Sequence, residues 1–139
     1  MSAASNYLEN KVLDHTLRNT AYTQPAGLYL ALFNNTSTAT AANLEAGTLT
    51  DETSTSGTAY ARKAIAFSAA SGGTAASSAT VTFDAATANW GTITHIAITD
   101  SATAGAGNVL YWGALTTSKL IETGDTMQFV STNVSVSLA

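Results

Sequence analysis

Short apolar runs separated by turn residues dominate the chain from residue 27 onward. At the C-terminus, Val134, Val136 and Leu138 alternate with Asn and Ser, which is typical of a strand with one buried face. "GLYLALF", residues 27–33, is instead apolar on both faces and predicts a central strand covered on both sides. Gly, Ser and Asp residues favourable to turns separate the runs. The pattern predicts a mainly β fold: an antiparallel two-sheet sandwich or jelly roll of about seven or eight strands.

The N-terminal segment departs from this pattern and predicts one α-helix. Asn6 is placed to cap it, and apolar side chains follow at helical spacing to form a stripe: Leu8, Val12, Leu13 and Leu17. Such a stripe must cover apolar surface, either an open end of the chain's own sandwich or a neighbouring subunit. We therefore expect deletion of residues 1–20 to disturb assembly or sheet-end packing.

The 139 residues divide by pattern into two parts. Residues 1–25 are predicted to form the N-terminal helix and an extended arm, and residues 26–139 the β-sandwich domain. Residues 34–58 contain hardly any large apolar side chain and predict a long loop. Loops of more than about 15 residues are uncommon unless they are functional or disordered.

Composition excludes several function classes. Only 10% of the residues are charged and the net charge is −4, with Arg62-Lys63 as the one adjacent basic pair, so nucleic-acid binding is not expected. The longest apolar run, residues 28–33, is too short to span a membrane. Sparse charge leaves two explanations open: copies of the chain or a partner cover the surface, or Thr and Ser simply supply strands and turns. We expect an oligomer of identical chains.

No catalytic, cofactor-binding or metal-binding group is predicted. Asp14 and His15 are neighbours in the predicted helix and do not face each other. His95 lies within a strand without a positioned serine nucleophile and is expected to be a core or interface residue. A pair of carboxylates of the glycosidase kind stays open as an alternative, because it needs only proximity in the fold.

Aromatic residues have two open interpretations. They line a sugar-binding surface or fill the sandwich core, and the core is favoured because Tyr111 and Trp112 point to opposite faces of a strand. Tyr60 and Arg62 are predicted on the strand face opposite Ile65 and Phe67. The candidate contacts with partners or other copies are Leu8, Val12, Leu13, Leu17, Tyr60, Arg62 and Trp112.

Four segments in this order resemble small structural proteins of tailed bacteriophages, often labelled tail-fibre proteins: "NYLENKVLDHTLRNTAYTQPAGLYLALF", "YARKAIAF", "VTFDAATANWGTITHIAITD" and "NVLYWGALTTSKLIETGDTMQF". The resemblance extends from residue 6 to residue 129. It implies a non-enzymatic virion component, made in the cytoplasm of the host bacterium, and brings no catalytic residues.

Two positions in the virion are compatible with the resemblance. The favoured one is a capsid decoration (cement) protein on the head exterior, expected to be a trimer in contact with the major capsid protein. The alternative is a tail fibre or tail-tip component that contacts tail proteins and binds host surface glycans. The decoration role is favoured because the chain has no long repetitive shaft.

Overall fold

A computed structural model describes residues 2–34 and 39–138. These residues form two helices, α1 (Asn6–Leu17) and α2 (Thr40–Glu45), and nine strands: β1 (Ala3–Ala4), β2 (Tyr29–Asn34), β3 (Lys63–Ala64), β4 (Thr74–Ala76), β5 (Val81–Thr82), β6 (Gly91–Thr99), β7 (Val109–Ile121), β8 (Gln128–Phe129) and β9 (Ser135–Ser137). The prediction of a mainly β, antiparallel fold with one N-terminal helix is confirmed.

A five-stranded sheet in the order β1-β7-β6-β2-β3 is the main layer. Two short two-stranded sheets accompany it, β4 with β9 and β5 with β8, and all pairings are antiparallel. On β2, Leu30 and Leu32 enter a larger core cluster, whereas Ala31 and Phe33 enter a smaller one. The prediction that residues 27–33 contain a strand apolar on both faces is therefore confirmed.

The larger core lies between the main sheet and the two short sheets. At its centre the rings of Tyr60, Phe83 and Trp90 have centroids 5.5 to 6.2 Å apart. Two of the three pairs are edge-to-face and the Tyr60–Phe83 pair is stacked, and both arrangements add to the free energy gained by burying the rings. The Trp90 indole N–H donates to the Thr58 carbonyl at 2.8 Å, so its polar atom is satisfied. These aromatic residues belong to the core, as favoured from the sequence.

The smaller core covers the other face of the main sheet. Leu44 of α2 packs there, fully buried, with Ala31, Phe33 and Val109. The segment predicted as a loop at 34–58 thus includes a short helix and a core residue. A single buried leucine in a polar stretch is too weak a pattern to predict a helix. Residues 35–38 of that segment lie outside the described residues.

The start of α1 differs by one residue from the prediction. Ser5, not Asn6, is the N-cap, and its hydroxyl oxygen accepts a hydrogen bond from the amide of Leu8 at 3.4 Å. The same hydroxyl donates to the carbonyl of Val109, and the amide of Ser5 donates to the carbonyl of Leu110 at 2.9 Å. The helix begins here because β1 has just paired with β7, which places Ser5 against the same strand.

A bulge in β6 changes the faces of its side chains. The pairing register shifts between Ile93 and His95, and Ile93, Ile96 and Ile98 all contact the larger core. Period-two alternation in the sequence predicts Ile93 on the strand face opposite Ile96 and Ile98. This prediction is wrong, because Thr94 is an extra residue in the bulge and reverses the alternation there. On β7, residues 115–118 leave the ladder opposite this bulge.

The Gly-rich sequence of residues 100–108 predicts a hairpin connection, which is confirmed, since it joins the antiparallel strands β6 and β7. Thr-Gly-Asp at residues 123–125 predicts the turn of a second hairpin, and the turn is present, where the amide of Asp125 donates to the carbonyl of Glu122 at 3.0 Å. The strands on its two sides do not pair with each other, however, because β8 pairs with β5. The second hairpin prediction is therefore wrong.

Candidate interaction surfaces and the buried network

The apolar stripe of α1 faces two environments. Leu8 is 5% exposed, and the helix contacts β7. Val12, Leu13 and Leu17 are 38%, 53% and 77% exposed. The helix thus covers its own sheet with one leucine and leaves the other three side chains on the surface. Their role as contacts with a neighbouring subunit stays a prediction.

Tyr60 and Arg62 lie in the interior, and their assignment as surface contacts is corrected. Tyr60 is packed between Phe83 and Trp90, and Arg62 is held by Glu52. Both residues are buried within the chain, so neither offers a surface to a partner. Strand alternation predicts that they share a face, but it does not reveal that other segments cover that face.

Arg62 and Glu52 form a buried, two-pronged ion pair. Nε of Arg62 donates to Oε1 of Glu52, and Nη2 donates to Oε2, each at 2.7 Å. The two side chains are 0% and 4% exposed. The remaining nitrogen, Nη1, donates to Thr99 Oγ1 and to the carbonyls of Ser101 and Ala106 at 2.7 to 3.0 Å. The guanidinium is thus held by charge-assisted bonds at all three nitrogens.

Glu52 accepts two further hydrogen bonds. The Tyr60 hydroxyl donates to Oε1 at 2.9 Å and the amide of Gly105 donates to Oε2 at 2.7 Å. Burial and, next, the charge of Glu52 raise the pKa of the Tyr60 hydroxyl, which keeps it protonated as a donor. The same hydroxyl accepts from the amide of Leu32 at 3.0 Å. This network joins β2, the segment before β3 and the 100–108 connection. Its role is structural, because its ion pair and hydrogen bonds hold these segments together.

The 100–108 connection is also fixed from within. The Asp100 carboxylate accepts from the amide of Asn108 at 2.7 Å and from its side-chain Nδ2 at 2.8 Å. Gly107 has φ +78°, and a Cβ at that position would lie 2.5 Å from Cβ of Ser101. The connection therefore requires glycine there, for its backbone and for space.

Trp112 is attached to α2. Its indole N–H donates to Oε2 of Glu45 at 2.8 Å, and its half-buried ring lies 6.3 Å from the ring of His95. Burial lowers the pKa of His95, and the carboxylate of Asp51 opposes that shift. Trp112 thus packs between the main sheet and α2, and its availability as a partner contact stays a prediction.

The outer edge of β7 is a surface that the sequence pattern did not predict. On that edge, Ala3 and Ala4 of β1 pair with Trp112 and Tyr111. Beyond them, a groove runs between β7 and residues 126–136 and contains a cavity of about 150 Å³ lined by Leu115, Phe129 and Val134 among others. The corresponding sequence is the uncharged run Thr116-Thr117-Ser118, which lies within β7.

Two other kinds of site were sought in the part of the chain that the structure describes. No helix there is long and apolar enough to cross a bilayer. No group of three or more His, Cys, Asp or Glu side chains there is arranged to hold a metal ion.

Comparison with known proteins identifies a matching family. A family model described as "Podophage GP4 fiber I protein gp80" matches residues 3–137. No curated protein matches the chain. The matched range contains every strand of the main sheet and the Arg62–Glu52 network.

Proposed function

Because the chain belongs to the family of the podophage GP4 fiber I protein gp80, and is thus a structural component of a phage virion, we propose that it is a tail-fibre subunit. The observation that carries this proposal is the extent of the match, which runs from the first described strand to the last. A match of that extent concerns the whole fold and not one shared motif.

A non-enzymatic role is part of the proposal. The interior charges of Arg62 and Glu52 are directed at each other, and the oxygens of Glu52 already accept bonds from three groups. A glycosidase carboxylate must instead face a substrate or a water molecule. His15 is exposed, and its Nδ1 lies 3.3 Å from the carbonyl oxygen of the nearby Thr20. Incubation with cell-envelope polymers of the host is expected to release no product, and any turnover lost in Glu52→Gln would contradict this.

The decisive measurement is the location of the protein in the phage particle. Antibodies against the protein, or difference density between particles with and without it, are expected to locate it on the tail. The same experiment reports on the head, where regular density over the capsid lattice would overturn the fibre proposal. We also propose that the protein is made in the cytoplasm of the host before assembly.

Capsid decoration is the second candidate. It is favoured by the absence of any fixed-period repeat in the sequence, because fibres commonly contain long repetitive shafts. In this role the partner is the major capsid protein. Purified protein would then bind expanded capsid shells at saturable stoichiometry, whereas a fibre subunit would bind tail assemblies and not shells.

Recognition of host surface glycans belongs to the fibre proposal and has its own test. Tyr60 is excluded from such a surface because it is buried, and the indole N–H of Trp112 is already bonded to Glu45. Saturable binding of the purified protein to host cells, competed by cell-surface polysaccharide, is the expected result. Trp112→Phe, which retains an aromatic ring, separates a sugar-stacking role of the ring from the role of the indole N–H.

A further inference from the structure

We propose that the groove beside β7 contains a binding site for an acidic saccharide at its end around Lys119. This site, the Lys119 cleft, lies between residues 115–119 of β7 and residues 126–133. It rests on the fibre proposal, because it names the class of host glycan that a fibre subunit of this fold would bind and the side chains that would hold it.

The Lys119 cleft has the size of a ligand site and two fixed walls. Its volume is about 530 Å³, within the roughly 300–1,000 Å³ that is usual for such sites. One wall forms where residues 115–118 leave the ladder opposite the bulge of β6, and bulges commonly redirect side chains beside functional sites. The other wall is held by hydrogen bonds between residues 127–129 and residues 81–83. Ser2 lines the cavity at the other end of the groove and not this cleft.

Lys119 gives the cleft its charge. Every other side chain in the lining is neutral, and the lining includes no carboxylate among the described residues. In the part of the chain that the structure describes, Lys119 has neither an ion-pair partner nor an aromatic ring beneath it. The other basic side chains each contact an acidic or aromatic partner: Arg18 with Asp14, Arg62 with Glu52, Lys63 with Asp84 and Lys11 with Tyr7. A concave surface with one unpaired cation and no anion favours an anionic ligand.

Neutral polar side chains surround this cation. The hydroxyl groups of Thr116, Thr117 and Thr126 and the amide of Asn133 line the cleft. Among the described residues, none of these side-chain groups has a hydrogen-bond partner. Hydroxyl and amide groups both donate and accept hydrogen bonds. They therefore match the hydroxyl groups of a sugar, which also do both.

The floor of the cleft is apolar. Met127 and Phe129 are 7% and 9% exposed, and Leu115 beside them is partly buried. A sugar ring presents an apolar C–H face between its polar edges, so an apolar floor within a polar rim is complementary to it. A small inorganic anion would use Lys119 and gain nothing from this floor. The combination of cation, hydroxyl groups and floor thus favours a saccharide that carries a carboxylate.

Titration of the isotope-labelled full chain, followed by amide NMR, tests the ligand class. The probes are short oligosaccharides of hexuronic acid or sialic acid, each beside its carboxyl-reduced form, which keeps the rings and lacks the charge. We expect an acidic probe to shift the amide signals of residues 115–119 and 126–129 at about 0.15 M salt, where the Debye length is about 8 Å. Its reduced form should bind roughly tenfold or more weakly, because a charge-assisted hydrogen bond is lost. Equal binding of both forms, shifts confined to other segments, or no binding of any acidic probe would overturn the proposal.

Three variants with the same net charge test the cleft itself. Lys119→Gln and Asn133→Asp each make the cleft more negative by one charge, whereas Asn10→Asp makes the same change on the exposed surface of α1. The first two are expected to weaken binding of the acidic probe roughly tenfold or more, and Asn10→Asp should leave it unchanged. All three residues are exposed, so the denaturant midpoint of unfolding should be retained in each variant. Equal affinity of the three variants would contradict the proposal.

The location of the protein in the particle separates this site from the fibre proposal. If the protein lies on the tail and Lys119→Gln binds the acidic probe as tightly as the unmodified chain, the Lys119 cleft is overturned and the fibre proposal stands. If the protein lies on the head and binding still depends on Lys119, the cleft is supported as a saccharide site and the fibre proposal is overturned.

Discussion

Arg62 and Glu52 form the most deeply buried ion pair among the described residues. With one partner removed, the other charge stays buried and unpaired, and such changes typically cost about 3–5 kcal/mol. Glu52→Gln is therefore expected to lower the free energy of unfolding by that amount in denaturant titration. The comparison is Asp84→Asn, which breaks the more exposed pair with Lys63 and is expected to cost about 1 kcal/mol or less. Equal losses in the two variants would show that the buried network contributes little.

Substitution of the two glycines in the 100–108 connection distinguishes the cost of a strained backbone conformation from the cost of a steric clash. Gly105 and Gly107 both have positive φ, +74° and +78°. A Cβ at residue 105 meets nothing within 4 Å, whereas one at residue 107 would lie 2.6 Å from Oδ1 of Asp100. Gly105→Ala is expected to cost about 1–2 kcal/mol for its backbone conformation alone. Gly107→Ala should destabilise the protein clearly more in thermal unfolding, and a smaller effect than that of Gly105→Ala would refute this account.

The burial of His95 is expected to make the free energy of unfolding depend on pH. Burial lowers its pKa in the folded state below the ordinary value of 6.5, so as the pH falls through that value the unfolded chain binds the proton first. The contribution of His95 to stability is thus intact above pH 6.5 and is lost progressively below it. His95→Gln is expected to flatten this part of the curve of unfolding free energy against pH. His15→Gln, on the exposed helix surface, is the control, and an identical change in both variants would be inconsistent with this role of burial.

Single residues were predictable to the extent that their partners lie nearby in the chain. The burial of Leu30 and Phe33 follows from the apolar run at residues 27–33 and is confirmed. The burial of Arg62 depends on Glu52 in a different segment, and no local pattern specifies that partner. The same holds for Trp112, whose bond to Glu45 crosses from β7 to α2.

At the scale of the element, α1 divides its apolar side chains between the sheet and the surface. Leu8→Ala is expected to cost about 2–5 kcal/mol, because it leaves a cavity under the helix. Leu13→Ala removes an exposed side chain and should change the free energy of unfolding by about 0.5 kcal/mol or less. Chemical unfolding of dilute protein measures both. A large loss from Leu13→Ala under those conditions would indicate that Leu13 is covered in solution.

The strands show where period-two alternation succeeds and where it fails. β2 was predicted with both faces correct, because no irregularity interrupts it between Tyr29 and Phe33. The alternation in β6 fails at Thr94, where the extra residue of a bulge has no distinctive side chain. The groove beside β7 was not predicted either, because it depends on how residues 126–136 fold back against that strand.

At the scale of the whole molecule, the fold class was predictable and the arrangement of layers was less so. The class follows from many short apolar runs, so one misjudged run does not alter it. The pairings of β5 with β8 and of β4 with β9 join segments far apart in the chain, and turn chemistry does not encode them. Sparse charge favoured a covered surface over a merely Thr- and Ser-rich one but did not indicate which surface.

The pairing of β1 with β7 has a consequence for the placement of α1. Because Ala3 and Ala4 pair with Trp112 and Tyr111, and the amide of Ser5 donates to the carbonyl of Leu110, the first turn of α1 starts at a fixed point of the main sheet. The position of the helix on the sheet therefore depends on main-chain hydrogen bonds as well as on its apolar stripe, of which Leu8 alone is buried.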